Sequence, residues 1–150
     1  PMALGMSISA RIKNLDYRTY AILSDGECNE GSIWESAMLA GGQKIKNLTV
    51  LIDFNKWQAT GRSEEIMSLQ PLYMKWESFG WHVQEINGHN FIEMEEAFRK
   101  AALEKDRPSV IIANTIKGKG VSFMEDDNNW HYRIPNENEL SKALKELKIK

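Results

Sequence analysis

The chain has 150 residues, of which 42% are hydrophobic, and its formal net charge is −2. This length predicts one domain with a real apolar core, and the lack of a basic excess argues against nucleic-acid binding. No apolar run reaches transmembrane length, and no secretory pattern opens the chain. The single Cys28 excludes an internal disulfide. We therefore expect a soluble cytoplasmic protein with no membrane partner.

Dense apolar runs of strand length alternate with segments whose apolar residues recur every three or four positions. Because strands alternate with helices, the predicted fold class is α/β, with a parallel sheet covered by helices on both faces. Pro1, ahead of Met2, is interpreted as the remnant of a tag. The predicted helices are 2–15, 30–40, 71–80, 91–103 and 136–148, the predicted strands are 18–23, 48–52, 81–86 and 109–114, and the predicted loops or irregular segments are 55–61, 63–70 and 117–120.

Some glycine and cap positions carry more specific expectations. The pair Gly41-Gly42 is expected to stop the second helix, and Gly61 is expected to allow a tight backbone bend. Asn90 is expected to cap the helix that follows it, with Phe91 on the core-facing stripe of that helix.

Other aromatic and thiol side chains favour structural roles. The tryptophans at 76 and 81 are expected in core or subunit-interface packing rather than on a binding surface. Cys28 is expected to be a packing residue rather than a reactive thiol. His89 lies in an Asn-Gly-His-Asn turn and is interpreted as holding that turn or capping a helix.

Two polar side chains follow the first two predicted strands. Asp25 comes after the run Tyr20–Leu23, and Asn55 comes after Leu48–Ile52 and Asp53. If these strands are parallel neighbours joined by a helix, Asp25 and Asn55 meet at the edge where open α/β sheets place their ligands. Oxygen ligands there suit Mg²⁺, which combines a few protein oxygens with substrate phosphates. On the residues alone, a simple turn residue is an equal alternative for Asp25.

The pair Asp25-Gly26, followed after about thirty residues by Asn55, resembles the signature of thiamine-diphosphate-dependent enzymes. Its surroundings resemble the transketolase family, and most of all the N-terminal subunits of split transketolases. The resemblance implies a partial thiamine-diphosphate-binding fold, of the diphosphate-binding (PP) type, over residues 1–150. The matching residues are Asp25-Gly26-Glu27, Glu30-Gly31, Trp34-Glu35, Ala40, Asn47-Leu48, Asp53, Asn55, Gln58 and Gly61.

The resemblance also implies a metal and cofactor site. Asp25, the Asn55 side chain and the backbone carbonyl of Trp57 are implied ligands of Mg²⁺, which in turn binds the diphosphate of the cofactor. Gly26 and Glu27 are implied cofactor-binding residues. Because the third metal ligand is a backbone carbonyl, position 57 need not hold one particular residue type.

Two further residues have roles implied by the same resemblance. Glu30 corresponds to an acid at the subunit interface that links two active sites, although by itself it also fits a first-turn helix acid. His131 ends the loop that begins at Lys117 and resembles an active-site histidine, which can hydrogen-bond a substrate hydroxyl or carbonyl and pass a proton. The chain departs from the family at Ser24 and Tyr132, where glycine is usual.

The implied function is transfer of a two-carbon ketol unit between sugar phosphates, with thiamine diphosphate and Mg²⁺ as cofactors. The glycine-rich diphosphate loop would lie before Met2, and the pyrimidine-binding domain is expected on a C-terminal subunit, in a dimer or hetero-oligomer. The isolated chain is therefore expected to be inactive. The alternatives are a non-catalytic truncated binding or assembly module, and part of another thiamine-diphosphate enzyme, such as a deoxyxylulose-phosphate synthase or a decarboxylating dehydrogenase component.

Overall fold

The fold is built on a parallel sheet and is described by a computed structural model for residues 1–148. The strands are β1 (Thr19–Ser24), β2 (Leu48–Phe54), β3 (Trp57–Gln58), β4 (Gly61–Arg62), β5 (His82–Asn87) and β6 (Ser109–Asn114). The helices are α1 (Met2–Ile12), α2 (Gly31–Gly42), α3 (Ser63–Met67), α4 (Leu72–Ser78), α5 (Phe91–Leu103) and α6 (Glu137–Glu146), with 3₁₀ turns at Gly26–Asn29 and Asn128–His131.

The four longer strands lie in the order β1-β2-β6-β5, and each neighbouring pair is parallel. These are the four strands that the sequence predicts, with ends displaced by at most two residues. The predicted α/β class is confirmed. The two remaining strands, β3 and β4, have two residues each and form a separate antiparallel pair.

Helices cover both faces of the sheet. Successive side chains of a strand point to opposite faces, so Val50 and Ile52 join one core cluster while Leu51 packs into the other. The first cluster draws on α1, α2 and α4, and the second is formed with Ala97 and Ala101 of α5. Strand β6 is buried at every position but its last, as a sheet covered on both sides requires. Among the helices within residues 1–148, none is long and apolar enough to span a bilayer.

Three tryptophans form the densest part of the larger cluster. Trp76 and Trp81 are each 1% exposed, and their ring centroids lie 4.8 Å apart in an edge-on arrangement. Trp34 packs on Trp76 at 5.4 Å. The indole N–H of Trp81 donates to the carbonyl oxygen of Ala37 at 2.9 Å, which ties the start of β5 to α2. The prediction that Trp76 and Trp81 are packing residues is confirmed.

The loop predicted at 55–61 and the irregular segment after it contain short elements that the sequence pattern misses. The β3–β4 hairpin and helix α3 occupy most of this region. The bend predicted at Gly61 is wrong, because the left-handed residue is Lys56 (φ 70°) and Gly61 lies within β4. Strands of two residues are too short to produce a periodic pattern.

The structure also corrects one expectation about α5 and confirms another. The Asn90 side chain accepts hydrogen bonds from the amides of the second and third helical residues, so the predicted cap is confirmed. Phe91, expected on the core-facing stripe, is 83% exposed. The helix contacts the sheet through Ala97 and Ala101, in its middle and last turns, and its first turn projects past that contact.

Helix α2 ends at Gly42, so the predicted stop at Gly41-Gly42 is confirmed, although neither glycine has a left-handed backbone. Both lie within its last turn, and the residue that leaves the helical path is Lys44, with φ 50°. A Cβ atom on Gly41 would lie 1.8 Å from the carbonyl oxygen of Phe79, whereas a Cβ atom on Gly42 would meet nothing within 4 Å. Gly41 is therefore required for the close approach of α2 to the segment between α4 and β5.

We expect Gly41→Ala to lower the free energy of unfolding by about 1–3 kcal/mol, because the backbone it would strike cannot move aside without shifting Trp81. The matched variant Gly42→Ala should be neutral or stabilising by up to about 1 kcal/mol, since it improves helix propensity in open space. Urea denaturation of both variants tests this. Equal stability of the two would show that the contact at Gly41 has no energetic importance.

Candidate metal and cofactor site

The register of β1 and β2 brings the two predicted metal ligands to one place. Ser24 lies opposite Asp53, so Asp25 and Asn55 both follow the carboxyl ends of neighbouring parallel strands. The backbone amide of Asp25 donates to the carbonyl oxygen of Asp53 at 3.3 Å. The predicted convergence of Asp25 and Asn55 at one sheet edge is confirmed.

The Asp25 carboxylate is completely buried and surrounded by hydrogen-bond donors. Its Oδ1 accepts from the amide of Gly26 at 2.9 Å, and its Oδ2 accepts from the hydroxyl of Ser63 at 2.8 Å. Burial raises the pKa of Asp25, and the hydrogen bonds from Ser63, Gly26 and the Lys56 amide oppose that rise. Within residues 1–148, no lysine or arginine forms an ion pair with this carboxylate.

Asn55 is held in a tight turn that leads into β3. Its Oδ1 accepts from the amide of Trp57 at 2.9 Å, and its Nδ2 donates to Asp53 at 3.3 Å. The left-handed backbone at Lys56 permits this turn. The other carboxylate oxygen of Asp53 accepts from the Thr115 hydroxyl. Asp53 therefore connects Asn55 to the loop that follows β6.

These residues fit a divalent cation bound together with an anionic cofactor. A buried carboxylate with a second acid beside it and no basic partner is stabilised by a cation. The side-chain oxygens of Asp25 and Asn55 and the carbonyl of Trp57 are the hard donors that Mg²⁺ prefers. In residues 1–148 no group of three or more His, Cys, Asp or Glu residues could hold a metal alone. A cation here therefore depends on amide and carbonyl oxygens and on oxygens from a bound ligand.

A second observation also favours an anionic ligand at this point. The Nε2 atom of Gln58 is a buried donor that finds no hydrogen-bond partner among residues 1–148. The Gln58 side chain lies against Gly26, 3.6 Å from where a Cβ atom of that residue would stand. A buried, unpaired N–H donor costs about 1–3 kcal/mol, and an acceptor oxygen from a ligand would remove that penalty.

Glu27 and Ser24 shape the turn between β1 and α2. The Glu27 carboxylate accepts from the amide and the hydroxyl of Ser24, at 2.7 and 3.3 Å, and the Ser24 hydroxyl accepts from the Glu27 amide at 3.2 Å. Serine at the usual glycine position therefore pairs with Glu27. The predicted cofactor contact of Glu27 stays a prediction, because this carboxylate is already engaged within the turn.

The residue predicted at a subunit interface lies at the start of α2. Glu30 is exposed at the N-cap position of α2, and its side chain makes no capping hydrogen bond. Among the described residues Glu30 therefore caps no amide, while the alternative of an acid favoured by the helix dipole needs no such bond and stays open. Its predicted place at an interface stays a prediction.

His131 lies at the end of a loop that is attached to the β3–β4 hairpin. It is exposed, and its Nδ1 is 3.4 Å from Nζ of Lys117. The loop reaches the hairpin through Asp126, whose pKa is lowered to about 2 by hydrogen bonds from Arg62 and then from Trp57. The loop carrying His131 is thus joined to the same hairpin that carries Trp57, although contact between His131 and substrate stays a prediction.

His89 supports the start of this loop. Its Nε2 accepts from the amide of Ile116 at 2.8 Å, and its own amide donates to the Asn87 side chain at 3.0 Å. His89 therefore joins the turn after β5 to the chain after β6, as its structural interpretation predicts.

Comparison with known proteins decides the family. Residues 9–149 match the thiamine-diphosphate-binding domain of transketolase. The chain belongs to the transketolase family. The resemblance found in the sequence is therefore confirmed, including its likeness to the subunits of split transketolases.

This transketolase-family chain covers about half of the length of the relatives compared with it. An apulose-4-phosphate transketolase subunit of Phocaeicola vulgatus is 38% identical over 146 residues, 97% of this chain and 52% of the relative. The 6-deoxy-6-sulfo-D-fructose transketolase subunit SqwG of Clostridium sp. is 47% identical over 123 residues, 82% of this chain and 45% of the relative. The chain spans about half the length of these two subunits.

A solved transketolase gives the structural counterpart. The crystal structure of transketolase from Campylobacter jejuni has a TM-score of 0.92 and 26% identity to this chain, covering 99% of this chain and 24% of that one. The sheet and helices described above are therefore those of a transketolase N-terminal domain.

Sequence reasoning missed Ser63, Arg62, Thr115 and Asp126 at this transketolase-family site. Each reaches the site by a tertiary contact with a residue distant in sequence. The sequence marks Asp53 only as a matching position, although its place at the end of β2 indicates a polar role. No periodic or motif signal marks the others.

Cys28 lies next to Asp25, and its backbone amide donates to the Asp25 carbonyl oxygen at 3.0 Å. Its thiol is buried and therefore unreactive. Its side chain is 0% exposed, and burial, followed by the charges of Asp25 and Glu27, raises the pKa of its thiol to about 12. At pH 8 the thiol therefore stays protonated, and the thiolate is the reactive form.

We therefore expect Cys28 to resist a disulfide reagent such as DTNB at pH 8 in the folded protein and to react fully after denaturation in urea. The absorbance of the released thiolate measures the reaction. Stoichiometric labelling of the folded protein within minutes would contradict the packing role of Cys28.

Proposed function

We propose that this chain is the Mg²⁺- and thiamine-diphosphate-binding part of an enzyme that transfers a two-carbon ketol unit between sugar phosphates. The single observation that carries the proposal is the buried Asp25 carboxylate, which has no basic partner within the described residues and lies beside Asn55 at the sheet edge. Membership of the transketolase family supports the assignment.

The proposed metal ligands are the side chains of Asp25 and Asn55 and the carbonyl of Trp57. Gly26 and Glu27 are the proposed cofactor-binding residues, and the Gln58 side chain, whose Nε2 has no partner among the described residues, lies against Gly26. The chain's own contribution is to fix these oxygens and donors in place before the ligand arrives. When bound, thiamine diphosphate supplies the nucleophilic carbon that ketol transfer requires.

His131 is the proposed proton-exchanging residue facing substrate. Nζ of Lys117, which carries only donors, lies 3.4 Å from Nδ1 of His131 and leaves Nε2 as the ring nitrogen available to substrate. The exposed ring can hydrogen-bond a substrate hydroxyl or carbonyl, and an imidazole that accepts a proton from substrate can return it in a later step.

A second polypeptide is proposed to complete the active site. Relatives of this chain are named as subunits, which supports a partner that carries the pyrimidine-binding domain. Glu30 is exposed at the start of α2 and is proposed to lie at the contact between subunits of a dimer or hetero-oligomer. Ketol transfer by the isolated 150-residue chain would contradict this requirement.

The comparisons favour ketol transfer over other thiamine-diphosphate chemistry, because the named relatives are transketolases. They leave the substrate open. One relative is named for apulose 4-phosphate and another for 6-deoxy-6-sulfo-D-fructose, so the assay should offer both a phosphorylated and a sulfonated ketose. A non-catalytic assembly module would bind the partner and turn over neither.

The first test concerns the metal. In the assembled enzyme, Asp25→Ala should abolish thiamine-diphosphate binding in the presence of Mg²⁺, because it removes the only buried carboxylate proposed to hold the ion. The matched control is Asp16→Ala, an exposed aspartate ahead of β1 at the opposite edge of the sheet, which should bind as wild type. Titration calorimetry measures both, and wild-type affinity in Asp25→Ala would remove the metal assignment.

The second test concerns His131. His131→Ala should leave cofactor affinity intact and lower turnover by about 10²-fold, the low end of general acid–base contributions. Steady-state kinetics of the assembled enzyme, combined with the same calorimetry, separate the two effects. Unchanged turnover would place His131 outside the substrate path.

A further inference from the structure

The loop that carries His131 is fastened to the β3–β4 hairpin at Asp126 and Asn128, and Asp126 makes the charged contact. Its carboxylate accepts two hydrogen bonds from Arg62, Nη1 to Oδ1 at 2.8 Å and Nη2 to Oδ2 at 2.6 Å. The indole N–H of Trp57 donates to the same Oδ1 at 2.8 Å. The Arg62 guanidinium also lies 3.7 Å above the Trp57 ring. Two-point pairing and stacking fix direction as well as distance.

On the hairpin side, this contact sits between two parts of the proposed metal site. Trp57 contributes the proposed carbonyl ligand, and the residue after Arg62 is Ser63, which donates to Asp25 at 2.8 Å. The Trp57–Arg62 pair also occupies opposite positions in the β3–β4 ladder. Movement of Arg62 is therefore limited by the same elements that shape the site.

On the loop side, Asp126 fixes the backbone of the segment that leads to His131. Its backbone is left-handed (φ 57°), and its amide donates to the carbonyl oxygen of Lys117 at 2.9 Å. Lys117 in turn contacts His131. In a second tie, the side-chain Nδ2 of Asn128 donates to the carbonyl oxygen of Ala59 at 3.1 Å. The segment from Lys117 to His131 is therefore tied to the hairpin at Asp126 and Asn128, and to α6 by the hydrogen bonds that Ser122 donates to Glu146.

Global stability does not explain this arrangement. The Arg62 and Asp126 side chains are 35% and 52% exposed, and exposed ion pairs contribute only about 0–1 kcal/mol. The pair joins residues 64 positions apart on two loops that both reach the proposed site. Its geometric effect is therefore local, on the placement of the His131 loop relative to Trp57.

We propose that Arg62 and Asp126 form a positioning clamp, which holds the His131 loop against the metal-binding hairpin so that the imidazole is placed for substrate. This inference rests on the proposed function, in which His131 faces substrate. Neither clamp residue is proposed to touch substrate, metal or cofactor. Both act through the position of His131.

Two variants of the assembled protein test the clamp. Arg62→Lys keeps the charge but loses the two-point pairing and the stacking, and Asp126→Asn keeps the size and tolerates left-handed backbone. The matched control is Arg99→Lys, which breaks a similar two-point pair with Glu96 on the surface of α5. The first readout is amide hydrogen exchange in residues 117–131, which needs no activity.

We expect exchange in 117–131 to be about tenfold faster in both clamp variants and unchanged in Arg99→Lys. We also expect turnover to fall about tenfold in the clamp variants, with little change in cofactor affinity. In the double variant Arg62→Lys/His131→Ala, turnover should match that of His131→Ala alone within about twofold, because the clamp acts through His131.

Unchanged exchange in 117–131 in both clamp variants would overturn the proposal. So would a double variant about tenfold slower than His131→Ala, since the pair would then act by another route. If wild-type assembled protein transfers no ketol unit, the proposed function fails, and the exchange measurement alone decides whether the clamp orders the loop.

Discussion

A buried carboxylate without a basic partner among the described residues is the constraint around which the rest of this structure is arranged. Moving an acid out of water raises its pKa and disfavours its charged form. The chain answers with donors from three separate segments: the Gly26 amide, the Lys56 amide and the Ser63 hydroxyl. Each donor is supplied by a different local element. The 3₁₀ turn, the left-handed turn after β2 and the short helix α3 all meet at Asp25.

The same constraint explains why the hairpin lies outside the main sheet. The chain leaves β2 at Phe54, turns at Lys56, and must return within about nine residues to place Ser63 on Asp25. A two-residue ladder between β3 and β4 achieves this return in the least length. It also presents the Trp57 and Arg62 side chains together on the side that receives the loop after β6. Local turn geometry thereby becomes the attachment point for a remote segment.

How much the sequence predicts depends on the range of the interaction involved. Continuous apolar runs identify β1, β2, β5 and β6, and the parallel order then places Asp25 and Asn55 together. The same reasoning does not predict the close approach of Gly41 to the backbone of Phe79, because nothing in the sequence indicates which backbone a glycine must approach. It places a bend at Gly61 by residue type, whereas the structure bends at Lys56 because Asn55 bonds the Trp57 amide. The pairing of Arg62 with Asp126 is not marked by any local pattern in the sequence.

This division follows the two layers of the site. The inner layer, Asp25 and Asn55, is set by strand register, and register is dictated by the apolar pattern of a doubly covered sheet. The outer layer, the loop ending at His131, is set by contacts between loops that no pattern specifies. Because the outer contacts lie outside the sheet, they do not enter the strand register that places Asp25 and Asn55. Relatives that share this domain yet are named for a phosphorylated and a sulfonated sugar fit such an arrangement. A family can then keep one cofactor site while the loops around it change the substrate that reaches it.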